Sequence, residues 1–152
     1  MGNDNDLVKL YSGRILALAT DIPHLGRLDA PQGSARRRSP LCGSTVTVDL
    51  RLDEDGRIAE FAQDVKACAL GQAAASVVGA NAIGRTRAEI EAARDALRAM
   101  LKDDGPVPGA PFDGLEVLLP AREYRNRHAS IMLALETTAE AMEAAERQSA
   151  CA

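Results

Sequence analysis

The chain has 152 residues, 46% of them apolar, with a formal net charge of -4 and a sequence pI near 5.2. That length gives one ordinary domain that folds without disulfide support, and the acidic balance excludes a general nucleic-acid or anionic-membrane footprint. No stretch approaches the roughly 18 apolar residues that span a bilayer; the polar, acidic start MGNDNDLVK is unlike a signal peptide, so a soluble, cytoplasmic protein is expected.

Residues 7–20 place Leu7, Leu10, Ile15, Leu18 and Ala19 on one helical face, with Gly13 as a weak point. The segment from Asp21 to Gly33 carries two prolines and two glycines, and reads as an irregular connector. The basic run Arg36, Arg37, Arg38 is either a solvated edge or loop, or a docking patch for an acidic partner. Thr45 to Leu52 alternates: Val46, Val48, Leu50 and Leu52 share one face, and Thr45, Thr47, Asp49 and Arg51 the other. Asp53 to Gly56 is a turn, and Arg57 to Val65 continues as a second strand with a phase break near Ala59. The two strands pair as an antiparallel hairpin.

The pattern becomes helical from Ala69, where Leu70, Ala73, Ala74, Val77 and Val78 form a stripe that Gly84 should end. Thr86 with Glu89 makes a capping box for the next helix, whose buried side is Ile90, Ala93, Leu97, Met100 and Leu101. Gly105 to Pro111 is a turn-rich loop, and Leu115 to Leu119 is a short apolar element stopped by Pro120. A final helix from about Asn126 to Arg147 carries Ile131, Leu135, Thr138, Met142 and Ala145 inward. The fold class is therefore α+β: a small antiparallel sheet with helices packed on one face. Residues 1–147 form a single domain and residues 148–152 a flexible tail. Low aromatic content, 3% with no Trp, suits packed helices better than a β-sandwich.

Three cysteines, Cys42, Cys68 and Cys151, do not suggest a disulfide framework. Cys42 lies just before the first strand of the hairpin and Cys68 just after the second. A hairpin brings those two points together at one end of the sheet. Cys68 also opens a helix, where free N–H groups and the helix dipole favour a thiolate, which is both a nucleophile and a metal ligand. Against this stands a plain role for both cysteines as small buried hydrophobes. His128 falls in the first turn of the last helix; imidazole is a common zinc ligand and also binds Fe–S iron. His24, in Pro23-His24-Leu25-Gly26, reads as a connector residue.

These segments resemble the NifU/IscU/SufU-type iron–sulfur cluster assembly scaffolds. Tyr11-Ser12 and Pro23-His24-Leu25-Gly26 match their N-terminal region. Pro40-Leu41-Cys42-Gly43 is similar to their first cysteine motif. Ala67-Cys68-Ala69 with Gln72 to Ser76 resembles the second, and Arg127-His128-Ala129-Ser130-Ile131 the H-C-S-I stretch that opens the last helix. The resemblance implies a SufE/NifU-like fold and a surface site of three cysteines, one aspartate and, in some members, one histidine. Carried over, it implies Cys42, Cys68 and His128 as metal ligands, with Ser44 standing at the aspartate position and Ala129 at the third cysteine. Asp64, Glu123 or a partner's side chain would complete the shell.

The function so implied is that of a scaffold or carrier, not an enzyme. Its cargo is iron, zinc or a labile [2Fe–2S] cluster. Its partners are a cysteine desulfurase and carrier or client apo-proteins, with no nucleic acid and no membrane. Two alternatives remain: a degenerate relative that binds the desulfurase or structural zinc without building clusters, and a sulfur-transfer activator that uses Cys68 as acceptor.

Overall fold

The computed structural model describes residues 13–40 and 43–151, with the backbone alone for the last two of these. Cys42, and the part of the expected first helix before Gly13, lie outside the described residues. Helix α1 is Gly13–Ala19, with Ile15 and Ala19 buried as the apolar stripe requires. The strands are β1 Gly33–Arg38, β2 Thr45–Leu52 and β3 Ile58–Lys66, in the spatial order β1-β2-β3 and antiparallel throughout. Helices α2 Ala69–Asn81 and α3 Arg87–Lys102 follow, then a run of 3-10 turns over Phe112–Glu123, then α4 Arg125–Cys151.

The alternation in β2 sets the sheet's inner face. Val46, Val48 and Leu50 are buried, and their partners on β3 are Val65, Gln63 and Phe61. The phase break near Ala59 is a bulge. Arg51 lies opposite Glu60 and Leu52 opposite Ile58, so Ala59 is the extra residue. That shift lets Ile58 and Phe61, three apart, both face inward and be buried. The Asp53–Gly56 turn closes with Asp53 N–H donating to Arg57 O at 2.8 Å and with Gly56 at φ 78°.

Helices cover the inner face alone. Helix α4 packs on β1 and β2, α2 on β3 and on α4, and α3 on the far side of α4. Its expected inner positions Ile131, Leu135, Thr138, Met142 and Ala145 are buried, and so are Met132, Leu133, Ala134, Ala139 and Ala141. A helix apolar on nearly every side is the core of a domain, and α4 fills that role. It continues past Arg147 to Cys151, where Gln148-Ser149-Ala150 contains no helix breaker; Gln32 donates there to Ala145 O at 3.2 Å and bonds Ser149.

Some boundaries differ from the sequence reading. Gly33–Arg38 is the edge strand β1, although its three arginines hide the alternation. Gly33 permits it: a Cβ there would lie 2.2 Å from Ala141 O, so only glycine lets β1 lie against α4. Helix α2 stops at Asn81, three residues before Gly84; Gly84, at φ 91°, instead turns the chain so that its N–H donates to Ile58 O at 2.8 Å. The 112–123 segment runs through Pro120 because successive 3-10 turns tolerate the missing donor better than an α-helix does. The Thr86–Glu89 capping box is present in both directions, and Ile90, Ala93, Leu97, Met100 and Leu101 are buried as expected.

The opposite face of the sheet is not bare. Asp49, an outward position in the alternation, is fully buried there. It accepts from Arg27 Nε at 2.7 Å and Nη2 at 3.1 Å, from Leu28 N–H at 3.1 Å and from Ser34 Oγ at 2.6 Å. The connector is thus pinned across the sheet. Residues 24–26 also run beside β3, with Gln63 N–H donating to His24 O and Gly26 N–H to Gln63 O, each at 2.9 Å.

Candidate functional site

The site is built where the hairpin ends. β3 finishes at Lys66, and Cys68 stands as the N-cap of α2 with extended backbone (φ -67°, ψ 170°). Its thiol is half-buried. Cys68 Sγ lies 3.5 Å from Ser130 Oγ on the first turns of α4, and Ser130 Oγ donates to Ser44 Oγ at 3.0 Å. Ser44 and Ser130 are both buried. Ser44 leads into β2, two residues after Cys42. The chain Cys68–Ser130–Ser44 therefore joins the start of the hairpin, its end and the start of α4, three points far apart in sequence.

The electrostatics favour a thiolate. Partial burial pushes the Cys68 thiol up. The Ser130 hydroxyl, the N–H groups of Gly71 and Leu70 and the Arg127 side chain outweigh it, and the thiol sits below its ordinary value. Cys68 closes no side-chain capping bond in the strict geometric sense; the N–H groups act through their dipoles at the helix end. A single hydroxyl proton serves one acceptor at a time. When Cys68 is a thiol, its S–H donates to Ser130, which donates to Ser44. When it is a thiolate, both donors reverse, and the Ser130 proton turns to sulfur.

Gly71 makes this contact possible. A Cβ at Gly71 would lie 2.5 Å from Ser130 Oγ and 2.9 Å from Ala67 Cβ. Sequence reasoning missed Ser130, Arg127 and Gly71. The signal available for Gly71 was a glycine inside the first turn of an apolar helix, which marks a close approach. Ser130 carried no signal without the fold, because its partners come from distant segments. Ala129, at the place implied for a third cysteine, is half-buried beside it.

His128 is placed differently. It is buried, and its Nε2 bonds Ala121 O at 2.9 Å and Arg122 O at 3.1 Å. Two carbonyl acceptors assign a proton to Nε2. Residues two apart on an α-helix project about 200° from each other, so His128 faces the 3-10 segment while Ser130 faces Cys68. The structure thus brings Cys68 and Ser44 together through Ser130 and turns His128 to the neighbouring groove. That groove, about 1140 Å³ and open, is also lined by Lys102, Asp104, Arg122, Glu123 and Arg125. Asp64 lies on the outer face of the sheet opposite Thr47. Among the described residues, no three His, Cys, Asp or Glu side chains converge on a point that could hold a metal. No helix among them is long and apolar enough to cross a membrane.

Comparison with known proteins gives a consistent picture. A family model described as the NifU-like N-terminal domain matches residues 10–112. The crystal structure of a nitrogen-fixing NifU-like protein (N-terminal) from Brucella abortus superposes with a TM-score of 0.90 at 42% identity, covering 93% of this chain and 98% of that one. A candidate iron–sulfur cluster assembly scaffold protein for the SUF system from Fervidobacterium islandicum superposes at a TM-score of 0.76, covering 89% of this chain and 98% of that one; at 19% identity it bears on the fold alone. No curated protein matches. With the fold, the sheet order and the cysteine-bearing hairpin in place, the chain belongs to the family of NifU-like N-terminal domains.

Proposed function

We propose that the protein is a scaffold-like component of iron–sulfur cluster assembly, holding iron, zinc or a labile [2Fe–2S] cluster as cargo. The observation that carries the reading is Cys68. It is a half-buried thiol held below its ordinary value at a helix N-terminus, at the sheet end where Ser130 links it to Ser44 beside the start of β2. Thiolates select iron–sulfur clusters and zinc over harder cations, so the donor chemistry fits that cargo. Cys42 is the second ligand in this proposal. Ser44 and Ser130 hold Cys68 in position and supply the proton that stabilises its charge. His128, the third ligand that the resemblance implies, would have to leave Ala121 O and Arg122 O and turn from the neighbouring groove to reach this shell. Cluster sulfur would come from a cysteine desulfurase, and the cargo would pass to carrier or client apo-proteins.

The test is metal and acid-labile sulfide content of protein purified without oxygen, beside Cys42→Ser and Cys68→Ser with folding checked by circular dichroism. Stoichiometric zinc or iron that is lost in both variants supports the site, and sulfide accompanying iron supports cluster holding. Metal retained in both folded variants would count decisively against it.

One observation favours a second reading. Ala129 stands at the place implied for a third cysteine and Ser44 at that of the aspartate, as expected of a relative that docks the desulfurase without building clusters. Such a protein would remain colourless on reconstitution with iron, sulfide and thiol, yet alter the desulfurase rate.

A further inference from the structure

The outer face of the sheet, at the end next to Cys68, is cationic. Cross-strand register there sets Arg36 beside Thr47 and Asp64, and Arg38 beside Thr45 and Lys66. Arg36, Arg38 and Lys66 are all exposed. Arg36 and Lys66 line a hollow of about 440 Å³ floored by Thr45 and Thr47. Among the described residues none of the three cations closes an ion pair, whereas Arg51, Arg57, Arg85 and Arg87 each meet a glutamate. Their neighbour Arg37, on the other face of β1, is tied to Glu136 and Glu140. In a chain of net charge -4, unneutralised cations gathered on one strand end stand out.

Charges on an edge strand also guard it against pairing with other chains. That role explains Arg36 and Arg38 on β1. It explains Lys66 less fully, because residues 24–26 already bond to the outer edge of β3 at Gln63. Arg38 and Lys66 share one cross-strand row with Thr45 between them, and Arg36 stands on the next row, so the cluster spans the sheet end. A nucleic acid fits poorly, because such ligands draw on many phosphate contacts, roughly six to ten for strong binding.

We propose that this outer face docks an acidic segment of a partner protein, with Arg36, Arg38 and Lys66 as its contacts and the threonine hydroxyls between them as hydrogen-bonding groups. The surface adjoins the Cys68 site, so a docked partner would sit beside that thiol. This inference goes beyond the proposed cargo and does not depend on metal being bound.

The test uses fluorescence anisotropy of a labelled peptide of alternating Glu and Val at low salt, with the full chain. The variant is Arg36→Glu/Arg38→Glu/Lys66→Glu, and the control is Arg14→Glu/Arg147→Glu, away from this face. Each exposed ion pair is worth roughly two- to fivefold, so the triple variant should bind about tenfold more weakly or worse. The control should bind as the parent does, and added salt should weaken parent binding. Should the charge reversals impair folding, Arg36→Gln/Arg38→Gln/Lys66→Gln carries the same expectation at smaller size. Equal peptide binding by parent and folded variant would overturn the proposal. So would no binding by the parent, or tighter binding to single-stranded DNA or phosphatidylserine vesicles than to the peptide. Metal content, measured in parallel, should be the same in every variant, which separates this surface from the cargo site.

Discussion

Replacing Asp49 by alanine should destabilise the protein by about 2–4 kcal/mol at neutral pH. The carboxylate is fully buried and accepts four hydrogen bonds, two of them from Arg27 and one from the Leu28 N–H. Hydrogen bonds to a charged group contribute roughly 1.5–3 kcal/mol each, and several kcal/mol of that is offset by the desolvation of the buried carboxylate. The guanidinium left behind is exposed, so no buried cation is stranded, and the loss stays below that of a fully internal pair. Burial pushes the Asp49 carboxyl up, but Arg27, Ser34 and the Leu28 N–H outweigh it and hold it below the usual carboxylate range. A depressed folded value means that its contribution is fully present above the unfolded carboxyl pKa of about 4 and disappears as the pH falls through the folded value. Urea denaturation of parent and Asp49→Ala at pH 7, 4 and 3 measures this directly. The difference should shrink steadily in acid. A difference under about 1 kcal/mol at pH 7, or one that does not change with pH, would refute the account.

Other expectations follow from the same contacts. In a background lacking the other two cysteines, Ser130→Ala should raise the pH at which Cys68 becomes reactive to an alkylating probe, because the hydroxyl that favours its thiolate is gone. Gly33→Ala should destabilise by about 2–3 kcal/mol in thermal or urea unfolding, since its Cβ would meet the backbone of α4 at Ala141 and Ala145. Thr86→Ala removes half of the capping box of α3 and should cost about 1 kcal/mol, read by the same denaturation.

The parts of this fold that were legible in sequence are those with a local cause. The period of two in β2, the slip at Ala59, the Thr86–Glu89 box and the stripe of α4 each write themselves into neighbouring residues. So does the argument that a hairpin brings its two ends together, which holds for Ser44 and Cys68 through Ser130, while Cys42 lies outside the described residues. What sequence hid has distant causes. β1 reads only as a solvated edge or loop, or a docking patch, because the contact that fixes it as a strand against α4 comes from more than a hundred residues away. Asp49 follows an outward alternation and is buried only because Arg27 and Leu28 cross over it. His128 reads as a candidate ligand in the first turn of the last helix, and the carbonyls that hold it belong to a 3-10 segment that runs past Pro120.

The floor beneath Cys68 has a mechanical consequence. The buried side of α2 consists largely of Gly71, Ala73, Ala74, Ala75 and Gly79, residues with almost no rotamers to lose or rearrange. Gly71 abuts Ser130 at one end, and Gly79 abuts the Gln63 amide and Pro23 O at the other. Only Leu70, Ser76, Val77 and Val78 add longer side chains to that buried side, so little can rearrange along the close contacts and α2 tends to move as one piece. A pull on the Cys68 sulfur is then delivered, along two turns of helix, to the stretch of chain at Pro23 that runs beside β3.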